Sequence, residues 1–278
     1  MAHSSTCIAP VLTPVRLIWV STAGYAHSGR LTGMPAPVDR PFLLLWDVDH
    51  TLIETRGLGT ELYVAAFEAV TGRPVQQVVE PTGRTEPAIF AQTLHRHGIE
   101  PSVELSRRYA AELADRYRRH AELLRRRGRI LPGARDALAA IADLPSAVQT
   151  VLTGNLRPVA AVKLEVFGLD GFIDFDAGAY GEDADDRPCL VPVAQGRAAA
   201  VAGHPFHCGN TVLVGDTAQD VTAAHQGGAR IVAVATGRDS EADLRAAGAE
   251  MVLPDLTDTA AFVRAVRRSL GAGTHDEA

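Results

Sequence analysis

FLLLWDVDHTLIET, residues 42–55, is the stretch on which the reading of this chain turns. An apolar run ends in Asp47 and Asp49, one residue apart, followed by His50, Thr51 and Leu52. The run is too short for a helix and suits a fully buried strand. Strand geometry points both carboxylates roughly the same way from the strand end. One carboxylate can attack an electrophile while the other carries a proton. Paired acids also repel, so they favour a divalent metal. Alone, the segment equally suits a strand followed by an Asx-type turn.

Working outward, 57–128 is helix-rich in pattern. Apolar positions recur at helical spacing in 59–70, 86–97 and 102–127, with breaks at Gly98 and Pro101. A further helix is predicted over 132–143, with Pro132 near its start. Strands and helices then alternate. Strands are predicted at 148–153, 172–177, 211–215, 230–236 and 251–253, and helices at 158–167, 193–202, 220–226, 241–247 and 259–270. This alternation predicts an α/β fold, a Rossmann-like mainly parallel sheet with helices on both faces. The helical block then reads as an insertion above the carboxyl edge of the sheet, where open α/β folds bind ligands. The predicted organisation is a core of 41–56 and 129–272, a helical cap over 57–128, an N-terminal extension over 1–40 and a tail over 273–278. The first 33 residues carry no motif and are interrupted by Pro10 and Pro14. They are expected to be a disordered or dispensable extension before Met34, with a weak export signal as the alternative.

The composition is that of an ordinary globular protein, with 46% hydrophobic and 22% charged residues in 278. A net charge of -6 argues against nucleic-acid binding, which depends on basic surface. No stretch is apolar for long enough to span a membrane. Cys7, Cys189 and Cys208 are widely spaced and odd in number. They make no disulfide framework, so a reducing cytoplasm is expected.

Other strand ends also carry polar groups. One predicted strand stops at Thr153-Gly154-Asn155, and another at Gly215-Asp216-Thr217, followed by Asp220. Carboxylates gathered at one sheet edge make an oxygen-rich site suited to Mg2+. Lys163 lies on the helix after Asn155, from which it can bring positive charge toward the cluster.

With these motifs in order, the chain resembles the haloacid dehalogenase-like hydrolase superfamily, in its phosphoglycolate-phosphatase-like branch with a helical cap. The resemblance covers about 41–270. Its first motif is matched by Asp47-Val48-Asp49-His50-Thr51-Leu52, its second by Thr153, and its fourth by Gly215-Asp216-Thr217 with Asp220. Two departures stand out. The family usually has glycine where His50 stands, which bears on substrate access and metal geometry. The third-motif lysine has two candidates, Lys163 and the Arg187 of Arg187-Pro188. Lys163 is preferred, because the loop GEDADDRPC around Arg187 looks solvated and acidic.

The resemblance implies phosphoryl transfer to water by a Mg2+-dependent phosphatase acting on a small phosphorylated metabolite. Asp47 would form an aspartyl-phosphate, and Asp49 would move the protons. Mg2+ would be held by Asp47, the Asp49 carbonyl, Asp216 and Asp220. Thr153, Gly154, Asn155 and Lys163 would bind the phosphoryl oxygens. Asp220 is equally suited to capping its own helix, and Thr51 to bonding the loop. Phosphomutase, 2-haloacid dehalogenase and a non-catalytic binding protein are the alternatives. A dehalogenase has no use for Asp49 as an acid or for a metal cluster.

Three further features bear on function. Arg84, in the predicted cap, could bind a second anionic group on a substrate. The basic run from Arg118 to Arg129 is interleaved with Glu112, Asp115 and Glu122, as in a salt-bridged solvent face. His204, His207 and Cys208 lack a fourth ligand for zinc.

Overall fold

The computed structural model describes residues 40–76 and 84–271. The expectations for the N-terminal extension, Met34, Cys7 and the tail fall outside these residues. The elements in chain order are β1 (Phe42–Trp46), β2 (Ile53–Glu54), α1 (Leu58–Thr71), α2 (Glu86–Arg96), α3 (Val103–Arg119), α4 (Ala121–Arg127), β3 (Arg129–Ile130), α5 (Ala134–Ala142), β4 (Ala147–Val151) and α6 (Arg157–Val166). There follow α7 (Leu190–Ala202), β5 (Thr211–Gly215), α8 (Ala218–Gly227), β6 (Arg230–Val234), α9 (Glu241–Ala246), β7 (Val252–Leu253) and α10 (Thr259–Gly271).

The main sheet has order β4-β1-β5-β6-β7, and every pair in it is parallel. Strand alternation sorts β1 between two apolar layers. Phe42, Leu44 and Trp46 pack with α5 and α10 residues on one face, and Leu43 and Leu45 with α7 and α8 residues on the other. Each such side chain contributes roughly 1.5–3 kcal/mol by leaving water. Central β1 has β4 on one side and β5 on the other, so the connections diverge there. The crevice at the carboxyl ends of these three strands is the switch point of the sheet.

Helices α1 to α3 share an apolar cluster of their own, which also takes in Val159, Val162 and Val166 of α6. The opposite side of α6 gives Ala160 and Leu164 to the core of the sheet. Thus α6 joins the helical block to the α/β layer, and Lys163 projects from it. A short antiparallel pair, β2 with β3, ties the two ends of the block together.

Several local expectations are corrected. Residues 172–177 form no strand. Asp174 instead accepts hydrogen bonds from the backbone N–H groups of Asp176 and Ala177, closing a turn, and only an isolated bridge joins Leu152 to Ala179. The helix expected over 102–127 breaks at His120. Cys208 is free and exposed. The basic run behaves as read: Arg116 pairs with Glu112, Arg119 with Asp115 and Arg125 with Glu122. Among the described residues, no helix is long and apolar enough to cross a membrane.

Candidate active site

β1 ends one residue before Asp47, whose backbone N–H donates to Val214 of β5 at 2.9 Å. Asp47 is buried. The chain then turns through His50, whose φ of 64° is left-handed. Few residues other than glycine adopt this conformation, and strain of this kind concentrates at functional sites. The turn brings Thr51 back, so that its hydroxyl donates to Asp216 at 3.0 Å.

Asp216 and Asp220 follow β5. Thr217 caps α8, and Asp220 closes a capping box with it: the Thr217 hydroxyl accepts from the Asp220 N–H, and the Asp220 carboxylate accepts from the Thr217 N–H. The bland capping role of Asp220 is therefore real, but it is not the only one. Asp220 also accepts from Arg187 Nε at 2.9 Å, and Arg187 Nη2 reaches Asp47 at 2.6 Å. Arg187 is only 8% exposed. The expectation of a solvated Arg187 is thus overturned: a 3-10 turn at Arg187–Cys189 packs against α8 and delivers the guanidinium to the acids.

Lys163 lies on the other side of the nucleophile loop. Its ammonium donates to both Asp49 oxygens, at 2.9 and 2.7 Å, and to Asn155 Oδ1 at 2.5 Å. It also sits 5.3 Å from the centre of the Tyr117 ring. The Asn155 amide donates to Asp49 and to the Thr153 hydroxyl, each at 2.7 Å. The two candidate cations therefore hold different carboxylates, Lys163 that of Asp49 and Arg187 that of Asp47.

These pairings set the charges. Burial pushes Asp47 upward, and the Arg187 guanidinium opposes it. Asp216 is likewise raised by burial and by the neighbouring Asp47 and Asp220. Burial also acts to raise Asp49, but Lys163 and Asn155 outweigh it and hold the carboxyl below its usual value. Burial works against the charge of Lys163, yet Asp49 keeps the ammonium protonated well above its usual range.

Asp47, Asp216 and Asp220 each bring one oxygen within 4.8 Å of the others, all three buried. Three buried carboxylates share one guanidinium. This oxygen-only, charge-deficient set fits a hard divalent cation. Asp49 turns its side chain to Lys163 and lies outside the trio.

The helical block supplies the opposite wall of the cavity, which has a volume of about 210 Å3. From the block come Thr60, Tyr63, Glu86, Ile89 and Tyr117. The Glu86 backbone N–H donates to Gly154 O at 2.7 Å, and its carboxylate accepts from the Leu156 N–H at 2.8 Å. Burial pushes Glu86 up to about 7, against the pull of Lys163. A side chain on Gly154 would collide with the Arg84 carbonyl, so glycine is what lets the block approach. Sequence reasoning missed Glu86, Tyr63 and Tyr117. Arg84 is exposed at the mouth and donates to Gln92. His50 is exposed there too.

The profile of the haloacid dehalogenase-like hydrolases matches residues 44–225. The chain belongs to the haloacid dehalogenase-like hydrolase family. Its fold is shared by solved members. A hydrolase from Pseudomonas syringae is 20% identical, with a TM-score of 0.58, over 80% of this chain and 98% of that one. A candidate β-phosphoglucomutase from Bacteroides vulgatus is 16% identical, with a TM-score of 0.58, over 83% and 90%. A predicted phosphoglycolate phosphatase from Haemophilus somnus is 15% identical, with a TM-score of 0.54, over 81% and 99%. No curated protein matches the chain. Within this family fold, the acids of the hydrolase stand at the switch point of the sheet.

Proposed function

We propose that this hydrolase is a Mg2+-dependent phosphatase of a small phosphorylated metabolite. In this reading residues 57–128 are a cap over a core of 41–56 and 129–272. The observation that carries the proposal is the buried Asp47 carboxylate, which shares one edge with Asp216 and Asp220 and is held by Arg187 at 2.6 Å.

Asp47, Asp216 and Asp220 would hold the ion, with the Asp49 carbonyl as the further ligand implied by the family. Bound there, Mg2+ would neutralise charge on the nucleophile and the phosphoryl group. Asp47 attacks phosphorus and forms an aspartyl-phosphate as the ester P–O bond breaks. Asp49 gives its proton to the leaving oxygen, then takes one from the water that cleaves the aspartyl-phosphate. At rest Asp49 is ion-paired with Lys163 and poorly suited to give a proton. An arriving phosphoryl group offers Lys163 a stronger anion. As Lys163 turns to it, Asp49 loses the cation that kept it ionised and becomes protonatable. Thr153, Gly154 and Asn155 would bind the phosphoryl oxygens, and Lys163 would add charge stabilisation in the transition state.

The test is phosphate release from a panel of phosphate esters. Asp47→Asn is expected to abolish release while keeping the fold, since an amide oxygen is a poor nucleophile. EDTA is expected to stop turnover and Mg2+ to restore it. Near-normal release by folded Asp47→Asn protein would refute the mechanism. Full turnover in metal-free protein would revive the dehalogenase reading.

A further inference from the structure

The cavity is divided between two chemistries. One side holds the phosphoryl-transfer groups. The other side, from the helical block, carries Glu86 beside Thr60, Tyr63, Tyr117 and Ile89, with the Tyr63 hydroxyl already bonded to Thr93. The leaving group of a bound ester must face this second wall.

Charge decides what that wall accepts. The two buried cations are committed, Lys163 to Asp49 and Arg187 to Asp47 and Asp220. The other basic residues lining the cavity, His50, Arg84 and Arg238, are all exposed, whereas Glu86 is half-buried. A carboxylate on the leaving group would sit against the Glu86 carboxylate with both buried cations already engaged. Like charges so placed reject the ligand. A hydroxyl instead donates to Glu86. At about 210 Å3 the space is smaller than the roughly 300–1,000 Å3 of pockets for drug-sized ligands, so the ester must be small.

Resting on the phosphatase reading, we infer that Glu86 selects a small polyol phosphate, an ester whose leaving alcohol carries free hydroxyl groups, and rejects esters whose leaving alcohol carries a carboxylate. Glu86 is a specificity-determining residue, and Arg84 does not reverse its preference.

Glycerol 3-phosphate and 3-phosphoglycerate test this, because they share a three-carbon frame and differ in one hydroxymethyl against one carboxylate. The assay is run at pH 8, above the value of Glu86, so that its carboxylate is ionised. Asp49, Lys163, Glu182, Tyr63, Tyr109 and Tyr117 are the titratable groups around it and are the same in every arm. Wild-type protein is expected to favour glycerol 3-phosphate in kcat/KM on the order of 10²-fold, because like charges set against each other suppress the wrong ligand. Glu86→Gln keeps an acceptor for the Leu156 N–H but removes the charge, and is expected to cut that ratio at least tenfold. A wild-type preference for 3-phosphoglycerate, above all one abolished by Arg84→Ala, would overturn the inference. So would an unchanged ratio in Glu86→Gln.

p-Nitrophenyl phosphate with Mg2+ reports the phosphatase reading separately. Calorimetric binding of both esters to Asp47→Asn protein, with Glu86 intact or replaced by Gln, reads the preference without turnover. Equal affinities with Glu86 intact would overturn the inference even in an active phosphatase.

Discussion

Arg187 donates to Asp47 at 2.6 Å although the two residues are 140 positions apart, and both side chains are buried. The same guanidinium reaches Asp220, so it bridges two acids of the trio. Arg187→Ala is expected to leave three buried carboxylates unneutralised. Breaking a buried pair from one side costs about 3–5 kcal/mol. Thermal melts should therefore show a large loss of stability, and a much smaller one when Mg2+ is present. Melts indistinguishable from wild type in metal-free buffer would remove Arg187 from this role.

Lys163→Ala should act differently. It frees Asp49 rather than the acid trio and deletes a charge from the phosphoryl side. A loss in kcat on the order of 10²-fold is expected, as for a key transition-state contact. Its stability should depend little on Mg2+. Steady-state kinetics and metal-dependent melts on both alanine variants separate the two cations.

How much of this could be read beforehand follows from range. β1 and β5 were legible because an apolar run and its terminal acids are contiguous in sequence. Asp47, Asp49, Asp216 and Asp220 came with them, and Thr153 with β4. Arg187 was misjudged because its burial is created by packing against α8, while its immediate neighbours are Asp185, Asp186 and other loop residues. Glu86 was invisible for a different reason: a glutamate just after a capping threonine reads as an ordinary helix start. The turn at 172–177 was mistaken for a strand because Phe172, Ile173 and Phe175 have strand-like character.

His50→Gly is expected to stabilise the protein by about 1 kcal/mol, because glycine adopts the left-handed region without the penalty a side chain pays. Urea unfolding measures it. A destabilised variant would mean that the His50 side chain makes good the strain through contacts at the cavity mouth.

Gly154→Ala should push the Arg84 carbonyl away and break the Glu86 N–H to Gly154 O bond. The core sheet should survive, with an unchanged far-ultraviolet spectrum, while kcat/KM falls at least tenfold, as small misplacements at reacting centres commonly cost. Wild-type kinetics would show that the block need not come so near.

Glu86 also predicts a pH dependence. Its folded value, about 7, lies above the ordinary 4.5, so the folded protein binds the extra proton between these limits. The contribution of Glu86 to stability is therefore lost as pH rises from 4.5 through 7. The stability difference between wild type and Glu86→Gln, followed from pH 4.5 to 8, should move against wild type across that window. A flat difference would show that the carboxyl titrates normally. Reading the difference cancels the shared titration of Asp47 and Asp216.

The main chain of Glu86 docks on Gly154, and its side chain lines the cavity. The docking bond comes from the main chain, so it is open to every residue type but proline, which lacks the N–H. Substitutions at position 86 can therefore rewrite the preference of the wall while the peptide contact persists. In evolutionary terms, recognition at this position is free to drift without dismantling closure, and a saturation library at one codon samples new substrate ranges on an unaltered engine.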